Sequence, residues 1–62
     1  MKLWIARDES GYLYLHEEKP KMQYNFQLRE WCSNETMELN PDFFPEVTFE
    51  NSPMEVELVL KK

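Results

Sequence analysis

The chain has 62 residues, a net charge of −5 and nine aromatic side chains. A chain of this length forms a single domain, residues 1–62, which buries only about 60% of the surface that its unfolded form exposes. Its one cysteine excludes an internal disulfide, and one cysteine with one histidine falls short of a zinc site, so we expect no metal and no cofactor.

The first predicted element is a β-hairpin over residues 3–17, folded about Gly11, the only glycine. Two aromatic and aliphatic runs flank residues 8–11, which is a strand–turn–strand pattern. Asp8 is a favoured first residue of a type I turn, and Gly11 can adopt the left-handed conformation that closes a three-residue loop with a bulge. This turn sets the pairs Asp8–Tyr12, Ala6–Tyr14, Ile5–Leu15 and Trp4–His16.

The two faces of this hairpin differ in chemistry. The aliphatic face carries Leu3, Ile5, Leu13 and Leu15. The aromatic face carries Trp4, Ala6, Tyr12, Tyr14 and His16. A two-residue turn at Glu9-Ser10 would place Ile5 with the tyrosines, because a slip of one residue exchanges the faces. We favour the bulged turn, since each face is then chemically uniform.

Residues 22–28 alternate between apolar and polar side chains, and strict alternation favours a half-buried strand. Tyr24, Leu28 and Trp31 are also spaced as on one face of a helix, so a helix over residues 22–30 stays open. Residues 31–35 follow as a connection, with a turn at Ser33-Asn34.

The second half of the chain predicts two further strands. Residues 36–39 form a short one, with Met37 and Leu39 pointing inward. Residues 54–60 alternate cleanly and form the last one. We place it beside residues 3–6, which are apolar on both faces and therefore need a central position.

The segment between these strands contains a predicted single turn of helix over residues 40–44. Asn40 is a suitable cap, proline follows at the first helical position, and Pro45 ends the helix. Its Phe43 and Phe44 close an open end of the core and are candidates to cover Trp4 and Tyr14. The prediction is thus a mostly β fold: a small antiparallel sheet of four or five strands built on the N-terminal hairpin, with one short helical turn.

Several segments carry a family resemblance. They are Ile-Ala-Arg-Asp at 5–8, Gly-Tyr-Leu at 11–13, Glu-Lys-Pro at 18–20, Phe-Pro-Glu-Val-Thr-Phe-Glu at 44–50, Pro53, and Glu-Val at 55–56. These resemble segments of short uncharacterised acidic proteins of bacterial genomes, their mobile elements or phages. The resemblance implies a small accessory protein and carries over no activity and no functional residue.

Charge is distributed unevenly along the chain. Residues 1–29 hold four acids and five bases, whereas residues 30–60 hold eight acids and no base. The negative surface charge of the second half either keeps a small domain from aggregating or allows it to dock on a basic partner. Direct nucleic-acid binding needs an excess of Lys and Arg, so we do not expect it. A partner protein with a basic nucleic-acid-binding surface fits the sign of the charge.

Enzymatic chemistry is not expected. His16 is the only histidine and Cys32 the only candidate for an activated nucleophile, and nothing in their spacing brings them together. No apolar run is long enough to span a membrane, and a lone free cysteine fits a reducing compartment, so we expect a cytoplasmic protein without membrane association.

The sequence therefore predicts a non-enzymatic protein–protein interaction module, an accessory or inhibitor protein of bacterial or phage origin. The candidate partner-binding residues are aromatic on the hairpin and acidic in the second half: Trp4, Tyr12, Tyr14, Glu46, Glu50, Glu55 and Glu57. Two alternatives stay open. The aromatic hairpin face can be core rather than interface, and the chain can be a structural subunit that forms a homo-oligomer.

Overall fold

A computed structural model describes residues 2–57 and 59 of the chain and contains six β-strands and no helix among them. The strands are β1 Lys2–Arg7, β2 Leu13–His16, β3 Lys21–Asn25, β4 Leu28–Cys32, β5 Thr36–Leu39 and β6 Met54–Glu57. Four of them form an antiparallel sheet in the order β5-β2-β1-β6, and β3 pairs with β4 in a separate two-stranded sheet. The mostly β prediction is confirmed.

The first hairpin has the predicted register. Trp4 lies opposite His16, and Ile5 lies opposite Leu15. The amide of Asp8 donates to the carbonyl of Tyr12 at 2.8 Å, and the amide of Gly11 donates to the carbonyl of Asp8 at 2.9 Å. Gly11 has a φ of +101°, so it supplies the left-handed residue that the bulged turn requires.

The core lies on the aliphatic face of the four-stranded sheet. Opposite residues of antiparallel strands share a face, so β5 adds Leu39 beside Leu13 and β6 adds Val56 beside Leu3. The prediction that the last strand lies beside β1 is confirmed. The buried cluster consists of Ile5, Leu13 and Val47, with Leu15, Leu39 and Val56 packed against it.

The prediction that Met37 points inward is confirmed for its face but not for its burial. Met37 lies opposite Leu15 on the aliphatic face, yet 62% of its surface is exposed, because it sits on an edge strand. Leu39, on the same strand, is half-buried as predicted. Of the predicted continuation of β6, residues 58 and 60 lie outside the described residues.

Residues 21–32 form a second hairpin, which we call the finger hairpin. Its first strand confirms the strand prediction for residues 22–25, and the helix alternative is wrong. The predicted half-burial is also wrong, because residues 21–28 are all exposed, and the predicted strand over residues 22–28 is interrupted by a turn. Trp31 and Cys32 belong to β4, so the predicted connection at residues 31–35 begins later than expected. Two residues make the turn, Phe26 with a φ of +51° and Gln27 with a φ of +69°. Positive φ at both positions defines a type I′ turn, which normally uses Asn and Gly.

The finger hairpin is attached to the aromatic side of the sheet and to the first turn. The amide of Trp31 donates to Oδ1 of Asp8 at 2.9 Å. The amide of Glu9 donates to the carbonyl of Arg29 at 3.1 Å, and an Arg29–Glu9 ion pair closes at 2.7 Å. These contacts explain why Asp8 is almost fully buried, although it is charged and lies in a turn.

Residues 40–53 form a long loop over the aliphatic face. The predicted helical turn is instead a hydrogen-bonded turn: the amide of Asp42 donates to Oδ1 of Asn40 and the amide of Phe43 donates to the carbonyl of Asn40. The turn does not continue as a helix, since Phe44 has a φ of +50°, outside the helical range. Residues 47–49 form no strand, and a turn follows in which the amide of Ser52 donates to the carbonyl of Phe49 at 3.3 Å.

Candidate functional site

The strongest candidate for a binding site is an open groove on the aliphatic face, which we call the apolar groove. It has a volume of about 480 Å³. Seven of the eight residues that line it are aliphatic or aromatic. They come from four elements and the long loop: Leu3, Ile5, Leu15, Leu39, Phe43, Phe44, Val56 and Glu57.

Two phenylalanines of the loop form one wall of the apolar groove. Phe43 is 54% exposed, and its ring centroid lies 6.3 Å from that of Phe44 in an edge-on arrangement. Phe44 has a φ of +50°, an uncommon conformation for a bulky side chain, and its carbonyl is held in place by a hydrogen bond. The loop therefore keeps both rings on the groove side of the sheet, so they do not cover Trp4 and Tyr14 as expected.

Arg7 fixes this loop. Its guanidinium has five N–H groups, and it donates to five backbone carbonyls at distances from 2.6 to 3.2 Å. Every acceptor is a carbonyl, so the loop is positioned through its backbone, whatever side chains it carries. The acceptors are Val47, Gly11, Pro41, Phe43 and Phe44.

The acidic side chains do not form a single acidic face. Asp42 and Glu46 flank the two phenylalanines in sequence and are exposed, and Glu57 lines the groove. Glu55 lies opposite Trp4 and pairs with Lys2 at 3.5 Å. Of the four predicted acidic residues, Glu55 and Glu57 thus share β6, whereas Glu46 and the exposed Glu50 lie on the loop.

The three predicted aromatic residues are not brought together as one exposed patch. Trp4 is half-buried, and Nζ of Lys19 lies 5.6 Å from its ring. Tyr14 is half-buried with its ring centroid 6.4 Å from that of His16, and burial together with the Glu38 charge raises its pKa. Only Tyr12, at 53%, is well exposed.

His16 is fully buried, with its Nδ1 atom 2.8 Å from Oγ of Ser33. The Ser33 hydroxyl also donates to the carbonyl of Glu35, so His16 Nδ1–H is the donor in the His–Ser bond when that hydroxyl is so directed. Burial lowers the pKa of His16. Burial and the Glu30 charge raise the pKa of the Cys32 thiol, so the thiolate that a nucleophile needs is disfavoured.

Sequence reasoning missed the exposed tip of the finger hairpin. Phe26 is 94% exposed and Tyr24 is 75% exposed, and Met22 and Leu28 are also exposed. A signal was present in the sequence: residues 22–28 carry no charge in a chain of which 31% is charged. Phe43 and Phe44, which the sequence predicts to close an open end of the core, are exposed and form the wall of an open site.

Residues 2–57 and 59 contain no group of three or more His, Cys, Asp or Glu arranged to hold a metal ion. Across the same residues there is no helix long and apolar enough to cross a membrane.

Comparisons with protein-family models, curated proteins and solved structures gave no match to this chain. The geometry of the apolar groove and the charges around it are therefore the basis for a functional proposal.

Proposed function

We propose that this chain is a non-enzymatic protein–protein interaction module, an accessory or inhibitor protein that binds an apolar segment of a partner protein in the apolar groove. The observation that carries the proposal is the groove itself, with the exposed Phe43 at its wall. Contiguous exposed apolar patches on small proteins mark interaction sites, and aromatic side chains dominate the binding energy of interfaces.

The position of Phe43 and Phe44 supports this use of the groove. A domain of this size has little apolar surface to spare, because its core is small. Arg7 nevertheless holds the backbone on both sides of these rings so that they flank a cavity. A loop held by four hydrogen bonds from one side chain is pre-organised, which reduces the entropy that binding has to offset.

The charges favour a basic partner. Residues 30–60 contribute eight negative charges and no positive one; Glu57 is among the groove residues, and the exposed Asp42 and Glu46 flank its two phenylalanines in sequence. A partner with Lys or Arg around an apolar anchor would be attracted before contact and held in register after it. A protein with a basic nucleic-acid-binding surface belongs to this class.

Affinity capture with a matched pair of variants tests the proposal. Phe43→Ser removes an exposed ring at the groove, and Tyr12→Ser removes an equally exposed ring away from it. Capture from lysate, read by mass spectrometry, should lose its partner with Phe43→Ser and keep it with Tyr12→Ser. The proposal fails if both variants retain the partner. Loss of the partner with Tyr12→Ser alone would indicate that the aromatic face is the binding site.

The role of the carboxylates is tested separately. Glu46, Glu50, Glu55 and Glu57 changed together to Gln should weaken capture at low salt and remove most of its salt dependence. Capture by the wild type that is unchanged at high salt would show that these side chains only keep the protein dispersed.

A further inference from the structure

The finger hairpin ends in a surface that is both apolar and uncharged. Phe26 and Tyr24 are the two most exposed large aromatic side chains among the described residues. Residues 22–28 carry no charged side chain that would have to be dehydrated in a contact. The tip can therefore enter an apolar site without burying a charge.

The turn at this tip is not explained by turn preference. A type I′ turn favours Asn and Gly because both central residues need positive φ, and Phe26 at +51° adopts a conformation that bulky side chains avoid. Uncommon backbone conformations of this kind cluster at functional sites. The ring at position 26 is thus better explained by a contact that it makes than by the fold of its own hairpin.

The same chain carries a receptor of suitable size and chemistry. About 150 Å³ of apolar cavity accommodates a benzene-sized ring, and the apolar groove offers about 480 Å³. The groove therefore has room for the Phe26 ring and part of a neighbouring side chain such as Leu28.

Charge selects how two copies would meet. A symmetric contact of groove with groove would bring together the two Glu57 residues that line the grooves. A contact of hairpin with groove instead brings residues 22–28 of one copy, which carry no charge, to the groove of the other. Electrostatics therefore favours the head-to-tail arrangement.

We propose that the finger hairpin of one copy of this chain inserts Phe26 into the apolar groove of a second copy. This inference rests on the groove being the docking site proposed above, and it names a second copy of the chain as an occupant. Since the hairpin and the groove are different surfaces, the contact is heterologous and each copy carries one of each.

Two variants test the contact without weakening the fold. Phe26→Asn with Gln27→Gly removes the ring and supplies the residues that a type I′ turn prefers, so this hairpin variant should melt at a higher temperature than the wild type. Phe43→Ser with Phe44→Asn removes the groove wall. The Arg7 hydrogen bonds to the backbone remain, and Asn tolerates the positive φ at position 44.

Sedimentation velocity at micromolar concentrations gives the readout. The wild type and Tyr12→Ser should self-associate, while each variant alone should be monomeric, with association at least about 30-fold weaker. An equimolar mixture of the two variants should form a heterodimer that grows no further, because the intact hairpin of one enters the intact groove of the other.

Three outcomes would overturn the inference: a wild type that stays monomeric, a variant mixture that stays monomeric, or a hairpin variant that self-associates like the wild type. Partner capture separates this inference from the proposed function. If the wild type is monomeric but still captures a partner that the groove variant loses, only the self-contact is refuted. If the groove variant affects neither readout, both proposals fail.

Discussion

Arg7 shows how one side chain can order a loop that has no regular secondary structure. All five of its N–H groups meet backbone carbonyls, three of them at Pro41, Phe43 and Phe44. Lysine keeps the charge but has only three donors on a single nitrogen, so it cannot reach carbonyls spread over residues 11–47.

We predict that Arg7→Lys lowers the free energy of unfolding by about 2–3 kcal/mol, because hydrogen bonds to a charged group are lost and their carbonyls are left unsatisfied. Urea denaturation measures this loss. The matched control is Arg29→Lys, which alters an exposed ion pair with Glu9 and should cost much less. Equal losses in the two variants would contradict the role given to Arg7.

Gly11 is required for its conformation alone. A β-carbon added at this position would meet no atom within 4 Å, so space is not the constraint. The φ of +101° is. We predict that Gly11→Val destabilises the protein by about 1–2 kcal/mol in urea denaturation, and that Gly11→Asn costs less. Unchanged stability of the valine variant would argue against the bulged turn.

At the scale of elements, His16 joins β2 to the residue that follows the finger hairpin. Burial lowers its pKa below the usual 6.5, so the unfolded chain takes up a proton before the folded one does. The contribution of neutral His16 to the free energy of unfolding is therefore fully present above about pH 6.5, and it is lost as the pH falls from there through the pKa of the folded state. Asp8 acts in the opposite sense, because burial raises its pKa and its protonation favours the folded state.

We predict that the wild type unfolds more easily at about pH 5.5 than at about pH 7.5, and that His16→Asn reduces this difference. Asparagine places a polar group near the position of Nδ1, so it can keep the contact with Ser33 while removing the titration. Thermal melts at both pH values measure the effect. Asp8 is present in both proteins, so an undiminished pH dependence in the variant would exclude His16 as its source.

The elements differ in how far the sequence could predict them. The first hairpin was predictable in register because Asp8 and Gly11 are local turn signals. The finger hairpin turn was not, since Phe26 and Gln27 carry no such signal. The groove could not be foreseen at all, because its wall depends on Arg7 reaching residues 34 to 40 positions away in sequence. Local sequence signals therefore allow strands to be predicted, whereas the site depends on tertiary contacts that the sequence does not reveal.

At the scale of the molecule, unbalanced charge opposes folding. The net charge is −5, and the described residues form only two ion pairs, both of them exposed. Repulsion between carboxylates is relieved when salt screens it.

We predict that raising NaCl from about 20 mM to about 500 mM stabilises the protein by roughly 0.5 kcal/mol, which corresponds to a rise of about 2–4 °C in melting temperature. The control is the variant with Gln at Glu46, Glu50, Glu55 and Glu57, which carries four negative charges fewer. Its melting temperature should respond less to salt, and an equal response would exclude these carboxylates as the cause.

The order of strands in the larger sheet has a consequence for synthesis in the cell. β1 lies between β2, which follows it directly, and β6, which is made some fifty residues later. On the ribosome, one edge of β1 stays unpaired until Glu57 has emerged. Translation that stalls between residues 17 and 54 would thus release a nascent chain with an open, apolar strand edge, the kind of species that chaperones bind and proteases remove.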